Sequence, residues 1–184
     1  MDKVVKTFRV DDVCLNTDFE NLNRITDFLL SGGHKVIWAV SPIIHNMFDP
    51  NDSVKSQRVF PEILNAYSDV KNFYKVDKIG IPIIRDGVEV ASHGILHLDH
   101  RLIHPSVQEL SILVSCSLLK AKVFVPPFNK WTTSMDNICK ENGIELIKFE
   151  DGWKSIECND YNPEQKLWYM HSRAWNYESL VKWF

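Results

Sequence analysis

Two histidines four residues apart, His93 and His97, are the clearest chemical signal in the chain. They follow a stretch rich in β-branched residues, Val88–Ala91, which we predict to be a strand. On a helical turn this spacing places two imidazoles on one face with Cβ atoms about 5–6 Å apart. Two nitrogen ligands of one cation have about this separation. Two histidines at this spacing, without other candidate ligands nearby, are more often structural. Whether they indicate a metal site therefore depends on their polar neighbours.

Two adjacent carboxylates, Asp11 and Asp12, follow another predicted strand, Val4–Val10. Because the carboxyl ends of parallel strands meet at one rim, we expect these carboxylates to lie beside the histidines. Asp12 would complete a three-ligand site with an open position, as catalytic zinc requires. His100 is a lesser alternative ligand, because it lies three residues after His97.

Other predicted strands also end in polar or aromatic residues. These residues are Pro126-Pro127-Phe128-Asn129, Glu150-Asp151 and His171. Pro105 argues against a helix that continues through His104. We interpret His34 and His45 as ordinary surface or loop histidines.

An alternation of strands and helices must position these groups. Asp18 is a predicted helix N-cap, and Ser31-Gly32-Gly33 ends that helix. The long segment 43–58 has the composition of a loop. The predicted strands are Val4–Val10, Lys35–Val40, Val88–Ala91, Lys122–Val125, Ile144–Phe149, Lys154–Glu157 and Lys166–His171; the further helices are Phe60–Tyr74, Ser106–Leu119, Thr133–Asn142 and Tyr177–Phe184. This order predicts an α/β fold with a mainly parallel sheet.

Composition narrows the function classes. The chain has 184 residues, of which 45% are hydrophobic and 24% charged, with a net charge of −3. This size suits one domain, and the charge argues against a nucleic-acid partner. We find no apolar targeting stretch in Met1–Asp12 and no membrane span. The four cysteines are far apart and are interpreted as free thiols, so we expect a cytoplasmic location.

The motifs together resemble the polysaccharide deacetylase superfamily, which includes carbohydrate esterase family 4. The resemblance covers nearly the whole chain and rests on four segments: Phe8-Arg9-Val10-Asp11-Asp12-Val13 for the first motif, His93-Gly94-Ile95-Leu96-His97 for H-[ST]-x-x-H, Val125-Pro126-Pro127-Phe128 for R-x-P-[FY], and Tyr169-Met170-His171 for L-x-H. It implies a distorted (β/α) barrel with fewer than eight strands, with residues 1–184 as a single polysaccharide-deacetylase-like domain.

The resemblance also implies roles for individual residues. Asp12, His93 and His97 would bind a divalent metal, with Zn²⁺ as the first candidate, while Asp11 acts as base and His171 as acid. Zn²⁺ would lower the pKa of water and polarise the amide carbonyl. A backbone N–H near Phe128 would help to hold the oxyanion. The candidate substrate-binding residues are Pro127, Phe128, Asn129, Trp131 and Arg173.

Three departures from the family pattern affect these roles, and one of them is that the first motif ends in Val13 instead of glycine. Val125 stands where the third motif has the arginine that orients the base. We expect Asn129, Lys130 or Arg173 to replace it, and we favour Arg173. The fourth motif is indistinct, and its nearest match is Asp151 with Trp153.

Most of the six tryptophans are assigned to core packing. Four of them fall near the predicted rim: Trp38, Trp131, Trp153 and Trp175. Trp131 is the best candidate for a sugar contact.

These features predict a metal-dependent hydrolase that removes an N-acetyl or similar acyl group from a sugar. The expected substrate is an acylated amino sugar, nucleotide-linked or lipid-linked, that serves as a cytoplasmic precursor of surface polysaccharide. Two alternatives stay open at this point. One is a catalytically inactive sugar-binding module on the same scaffold, and the other is a hydrolase of a non-sugar amide.

Overall fold

The computed structural model describes residues 4–14, 17–41, 85–95 and 97–184. Within these ranges seven strands form one all-parallel sheet in the order β5-β4-β3-β2-β1-β7-β6. The sheet curls into a half-barrel, and the described residues include four helices that accompany it. The strands are β1 Thr7–Val13, β2 Lys35–Val40, β3 Val88–Ser92, β4 Val123–Phe124, β5 Glu145–Leu146, β6 Lys154–Ser155 and β7 Leu167–His171; the helices are α1 Phe19–Ser31, α2 Pro105–Leu119, α3 Thr133–Glu141 and α4 Tyr177–Trp183. The predicted α/β fold, a distorted (β/α) barrel with a mainly parallel sheet, is confirmed.

The alternation of side chains along the central strands separates two faces of the sheet. Phe8 and Val10 of β1, Trp38 of β2 and Trp168 of β7 belong to the core beneath α1 and α4. The intervening positions face the concave side, where a second cluster is built around Ile37, Ala39, Ala91, Val125 and Trp153. Polar residues at these intervening positions of β1 and β7 therefore face the inside of the half-barrel.

Local signals explain the placement of the helices. The Asp18 side chain accepts a hydrogen bond from the Asn21 amide and caps α1, as predicted. Leu22, Ile25 and Leu29 of α1 are buried against the sheet, and each contributes about 1.5–3 kcal/mol of transfer free energy. α2 starts at Pro105, and His104 is extended with φ −61° and ψ 143°. Pro105 therefore ends the preceding loop at the expected place.

Strand boundaries differ from the predictions where partner strands are absent. β1 begins at Thr7, which pairs with Lys35 and Leu167, whereas Val4 and Val5 are exposed. The β-branched residues before Thr7 therefore have the composition of a strand, but they form no hydrogen-bonded pairs in the sheet. β4, β5 and β6 each keep only two paired residues, and β5 and β6 form the edges of the described sheet.

Some predictions concern residues outside the described ranges. These are the loop 43–58, the helix Phe60–Tyr74 and His45.

His34 is half-buried, and its ring stacks on Phe184 with 5.8 Å between centroids. All four cysteines are free, and all except Cys158 are buried. No helix in the described part of the chain is long and apolar enough to cross a membrane.

Candidate active site

An irregularity in β1 positions the two aspartates. The pairing register of β1 with β2 shifts between Val10 and Val13, and Asp12 has the left-handed φ of 60°. A bulge of this kind re-aims a side chain at the rim of a barrel, and aspartate tolerates positive φ better than most residues. The sequence pattern predicts that the strand ends before these residues. Instead it runs through them, and the bulge turns Asp12 toward the histidines while Asp11 stays on the concave face.

His93 and His97 come together through a loop and not through the helical turn that their spacing suggested. His93 follows β3 directly, and its amide continues the sheet by donating to the Val40 carbonyl at 2.8 Å. The two imidazole centroids are 4.9 Å apart. Gly94 makes the turn with φ 79°, and a Cβ there would lie 3.2 Å from His100 Cε1. A serine or threonine at position 94 would therefore need both a left-handed backbone and a small displacement of His100.

The three side chains Asp12, His93 and His97 present ligand atoms within 4.8 Å of one another. Asp12 Oδ1 lies 2.9 Å from His97 Nε2 and 3.5 Å from His93 Nε2. His93 Nδ1 lies 2.8 Å from the Val125 carbonyl, which can only accept, so the hydrogen sits on Nδ1 in the neutral ring. The His93 Nε2 lone pair then faces a carboxylate oxygen. Two acceptors in this position call for a cation between them.

Electrostatics support an ionised Asp12. Burial by itself raises the pKa of this carboxyl, but His93 and His97 would, when protonated, outweigh that effect and lower the pKa well below its usual range. Asp12 Oδ1 is nevertheless buried without a well-directed hydrogen bond. A neutral-nitrogen and carboxylate donor set of this kind fits a divalent metal such as Zn²⁺.

His100, the lesser alternative ligand, is outside this three-residue group. Its side chain is fully buried, with Nε2 3.2 Å from Ser111 Oγ and the ring edge-on to Phe124. Burial lowers the pKa of His100 to about 4, so the ring is neutral. It packs behind Gly94 and supports the loop that carries the two ligating histidines.

The Asp11 carboxylate is held by an arginine that the motif comparison did not single out. Arg9 donates from Nε to Oδ1 and from Nη2 to Oδ2, both at 2.8 Å. Nη2 also donates to Asn129 Oδ1 at 2.6 Å. The expectation that Arg173 orients Asp11 is wrong, because its hydrogen bond goes to Cys14 Sγ at 3.5 Å. Asn129 acts indirectly, because it bonds to Arg9 and not to Asp11. The available signal was the Arg-x-Asp spacing, which places both side chains on one face of a strand.

His171 is paired with a second carboxylate that the sequence did not reveal. Its Nδ1 lies 2.9 Å from both carboxylate oxygens of Glu157, and its amide donates to Oε1 at 2.8 Å. The nearest match to the fourth motif lies elsewhere: Asp151 accepts from the Lys148 amide, and Trp153 lies beside Arg9. Glu157 follows β6, and no motif spacing separates it from other surface glutamates.

The loop after β4 carries strained backbone at the rim. Phe128 and Asn129 are both left-handed, with φ 58° and 55°, and strain of this kind concentrates at functional sites. The amides of Asn129 and Lys130 donate to the carbonyls of Pro126 and Pro127. Among the described residues, no backbone carbonyl accepts from the Phe128 amide. The Phe128 ring contacts His97 with 4.6 Å between centroids, so this loop borders the metal ligands.

A pocket of about 370 Å³ adjoins the site and gathers most of the predicted substrate-binding residues. Its lining includes Phe128, Asn129, Trp131 and the cations Arg101 and Lys130. Trp131 donates from Nε1 to Glu150 at 3.0 Å and lies under the Lys148 ammonium. Pro127 is buried at the base of the same loop. Arg173 lies apart from them, in a cleft of about 570 Å³ beside α1 and α4.

The architecture is a parallel half-barrel with a candidate Asp-His-His metal site at the carboxyl ends of its strands. No family model matches the sequence, and no curated protein matches it. Solved structures do match. A family 4 carbohydrate esterase from Streptomyces lividans, in complex with acetate, superposes with a TM-score of 0.53 and 12% identity over 97% of this chain and 83% of its own.

Two other solved structures have the same fold. The peptidoglycan N-acetylglucosamine deacetylase Bc1960 has a TM-score of 0.56 and 14% identity over 98% of this chain and 80% of its own. A family 4 pseudoenzyme from Bacillus anthracis, BA3943, has a TM-score of 0.55 and 12% identity over 97% of this chain, which spans 59% of the pseudoenzyme's length. The chain therefore has the fold of the family 4 carbohydrate esterases, as the motif resemblance implied.

Proposed function

We propose that this protein is a metal-dependent hydrolase that removes an acetyl or similar acyl group from an amino sugar. One observation carries the proposal. A three-ligand cluster, Asp12, His93 and His97, lies at the same strand ends as a carboxylate and a histidine that are each held by a charged partner. These are the components that amide hydrolysis needs: a cation, a base and an acid.

The cation site suits Zn²⁺ through its two imidazoles and one carboxylate. A bound divalent cation would polarise the acyl carbonyl and lower the pKa of the attacking water. The Val125 carbonyl fixes the His93 tautomer, which is the usual task of the groups that surround metal ligands. The identity of the metal as Zn²⁺ is part of the proposal.

The neighbouring residues divide the proton transfers. Asp11 accepts a proton from the attacking water as the C–O bond forms. The Phe128 amide, which no described backbone carbonyl uses, stabilises the developing oxyanion. The C–N bond then breaks, and His171 donates a proton from Nε2 to the leaving amine, because Glu157 occupies Nδ1. The products are a carboxylate and a free amino sugar.

We propose a nucleotide-linked or lipid-linked amino sugar, made in the cytoplasm, as the substrate. The pocket beside the ligands places the aromatic rings of Phe128 and Trp131 near Arg101 and Lys130. Rings suit a sugar face, and cations suit a diphosphate linkage. Free cysteines at all four positions fit a reducing compartment.

The pH dependence should depend on Glu157. Burial by itself lowers the pKa of His171, but the hydrogen bond and charge of Glu157, aided by Asp12 and Asp11, raise it overall. A general acid must be protonated, so the rate falls as pH rises through this pKa. Replacing the charge in Glu157→Gln should shift the alkaline limb of the kcat profile to lower pH. An NMR titration of the His171 ring should shift in the same direction.

The matched control for this variant is Glu178→Gln, because Glu178 forms an exposed pair with Arg24 on the surface. Its pH profile should match that of the wild type. An alkaline limb that does not move in Glu157→Gln would contradict the assignment of His171 as the acid.

The substrate class can be tested by acetate release at matched concentrations. UDP-N-acetylglucosamine should be hydrolysed faster than chitin oligomers, because Lys130 and Arg101, which line the pocket with Glu150, would bind the diphosphate. Preference for the oligomers would contradict the precursor proposal. Release from neither, with metal bound, would favour the inactive sugar-binding module, an outcome for which the pseudoenzyme of the same fold is a precedent. Release from acylated non-sugar amides only would favour the other alternative.

A further inference from the structure

Arg9 occupies a position that invites a functional explanation. It lies in the middle of β1, its side chain is fully buried, and it faces the concave side two residues before Asp11. The forked pair that it forms with Asp11 is also buried, with only 3% of the Asp11 side chain exposed. A buried ion pair is weak evidence of stabilisation, because desolvation offsets most of the attraction. Its location beside the metal ligand Asp12 points to another role.

The surroundings of Arg9 hold its guanidinium in one plane. Cζ lies 4.8 Å from the centroid of Trp153 and 5.0 Å from that of Tyr169. Nη2 bridges Asp11 and Asn129, while Nη1 is buried without a hydrogen-bond partner. The aromatic rings, the β4 loop and the forked bond together restrict the rotation of the Asp11 carboxylate.

We propose that Arg9 is the positioning residue of the base, and that this chain has moved that function from the β4 loop to β1. This inference rests on the proposed function. The resemblance places an orienting arginine at position 125, where this chain has a fully buried valine. Arg9 reaches the same kind of carboxylate from within the strand that carries it. The forked bond thereby fixes the orientation of the Asp11 carboxylate, in the residue next to the proposed ligand Asp12.

The competition between Arg9 and the metal for Asp11 makes the proposal testable without turnover. In Arg9→Met the Asp11 carboxylate loses its partner next to a cation site, so Co²⁺ should bind more tightly and its absorption spectrum should change. A purely structural role predicts the opposite, since a loosened site binds metal more weakly. Acetate release from UDP-N-acetylglucosamine should show kcat lower by about 100-fold, with KM little changed.

Arg9→Lys is the conservative variant that keeps the proposal testable if Arg9→Met does not fold. Lysine retains the charge but cannot form the fork, so its kcat should lie between those of the wild type and Arg9→Met. Arg24→Met is the matched control: Arg24 also combines a carboxylate bond, to Glu178, with a ring contact, to Tyr177. It should leave Co²⁺ binding and kcat unchanged.

The outcomes separate this proposal from the proposed function. A wild type that binds no Co²⁺ and releases no acetate would contradict the proposed function, and the role of Arg9 with it. A competent wild type with an equally competent Arg9→Lys and Arg9→Met would overturn the role of Arg9 alone. Weaker Co²⁺ binding in both variants would likewise overturn it, in favour of a structural role.

Discussion

His93→Ala and His97→Ala should each abolish metal binding and, with it, the proposed deacetylase activity. Each substitution removes one of three ligands, and the remaining two groups cannot close a site that leaves a position for substrate. Metal analysis of the purified variants should give near-zero occupancy, against one ion per chain in the wild type. The loss of activity should be at least the roughly 10²–10⁴-fold that removal of a catalytic group costs.

His104→Ala provides the control, because His104 is exposed and caps α2 through its contact with Ser106. It should keep its metal and lose only the modest stability of a helix cap, about 1 kcal/mol. In the wild type, metal affinity should fall as pH drops through the histidine range, since the ligating nitrogens must be unprotonated. Equal metal content in the wild type and both histidine variants would refute the site.

Asp11→Asn should retain the metal but lose most of its turnover. The amide has nearly the shape of the carboxylate, but it cannot accept the proton of the attacking water. We expect kcat to fall by about 10²–10⁴-fold with metal occupancy unchanged, measured by acetate release and metal analysis on the same sample. This combination distinguishes a base from a metal ligand, because loss of a ligand would affect both quantities.

Asp27→Asn is the matched control, since Asp27 also pairs with an arginine, Arg85, but on the exposed side of α1. Its activity should equal that of the wild type. Because Asp11→Asn leaves the buried Arg9 only partly paired, Asp11→Glu should be measured as well. It keeps the charge and displaces the carboxylate, so kcat should again fall while folding is preserved. Near-wild-type turnover in Asp11→Asn would exclude Asp11 as the base.

The fold could be predicted because its central strands have local signals that tertiary structure does not override. Lys35–Val40 is nearly continuously apolar, as a parallel strand covered on both faces should be, and β2 has these same bounds. The ends of the other strands depend on partners that propensity does not reveal. Ile144–Phe149 has the composition of a six-residue strand, yet only Glu145 and Leu146 pair with β4.

The site was predictable where a residue type is rare and its spacing is short. His93 and His97 could be found in this way, even though a loop around Gly94 replaces the helical turn that their spacing predicts, and Asp12 could be found from its place after a predicted strand. Arg9 and Glu157 could not, because arginines and glutamates are common and their importance comes from a long-range contact. Nothing local indicates that Glu157 lies against His171, fourteen residues later, or that Asn129 bonds to Arg9 across 120 residues.

Acetate release by metal-loaded and metal-stripped protein decides whether this chain is a metal-dependent deacetylase. The purified chain would be treated with chelator, divided, and reconstituted with Zn²⁺ or left without metal, and each half would be incubated with UDP-N-acetylglucosamine, chitin oligomers and acylated non-sugar amides. The account predicts acetate together with a free amino sugar from the reconstituted half, and background release from the stripped half. Equal release from both halves, or none from a reconstituted half that holds one metal ion per chain, would contradict it.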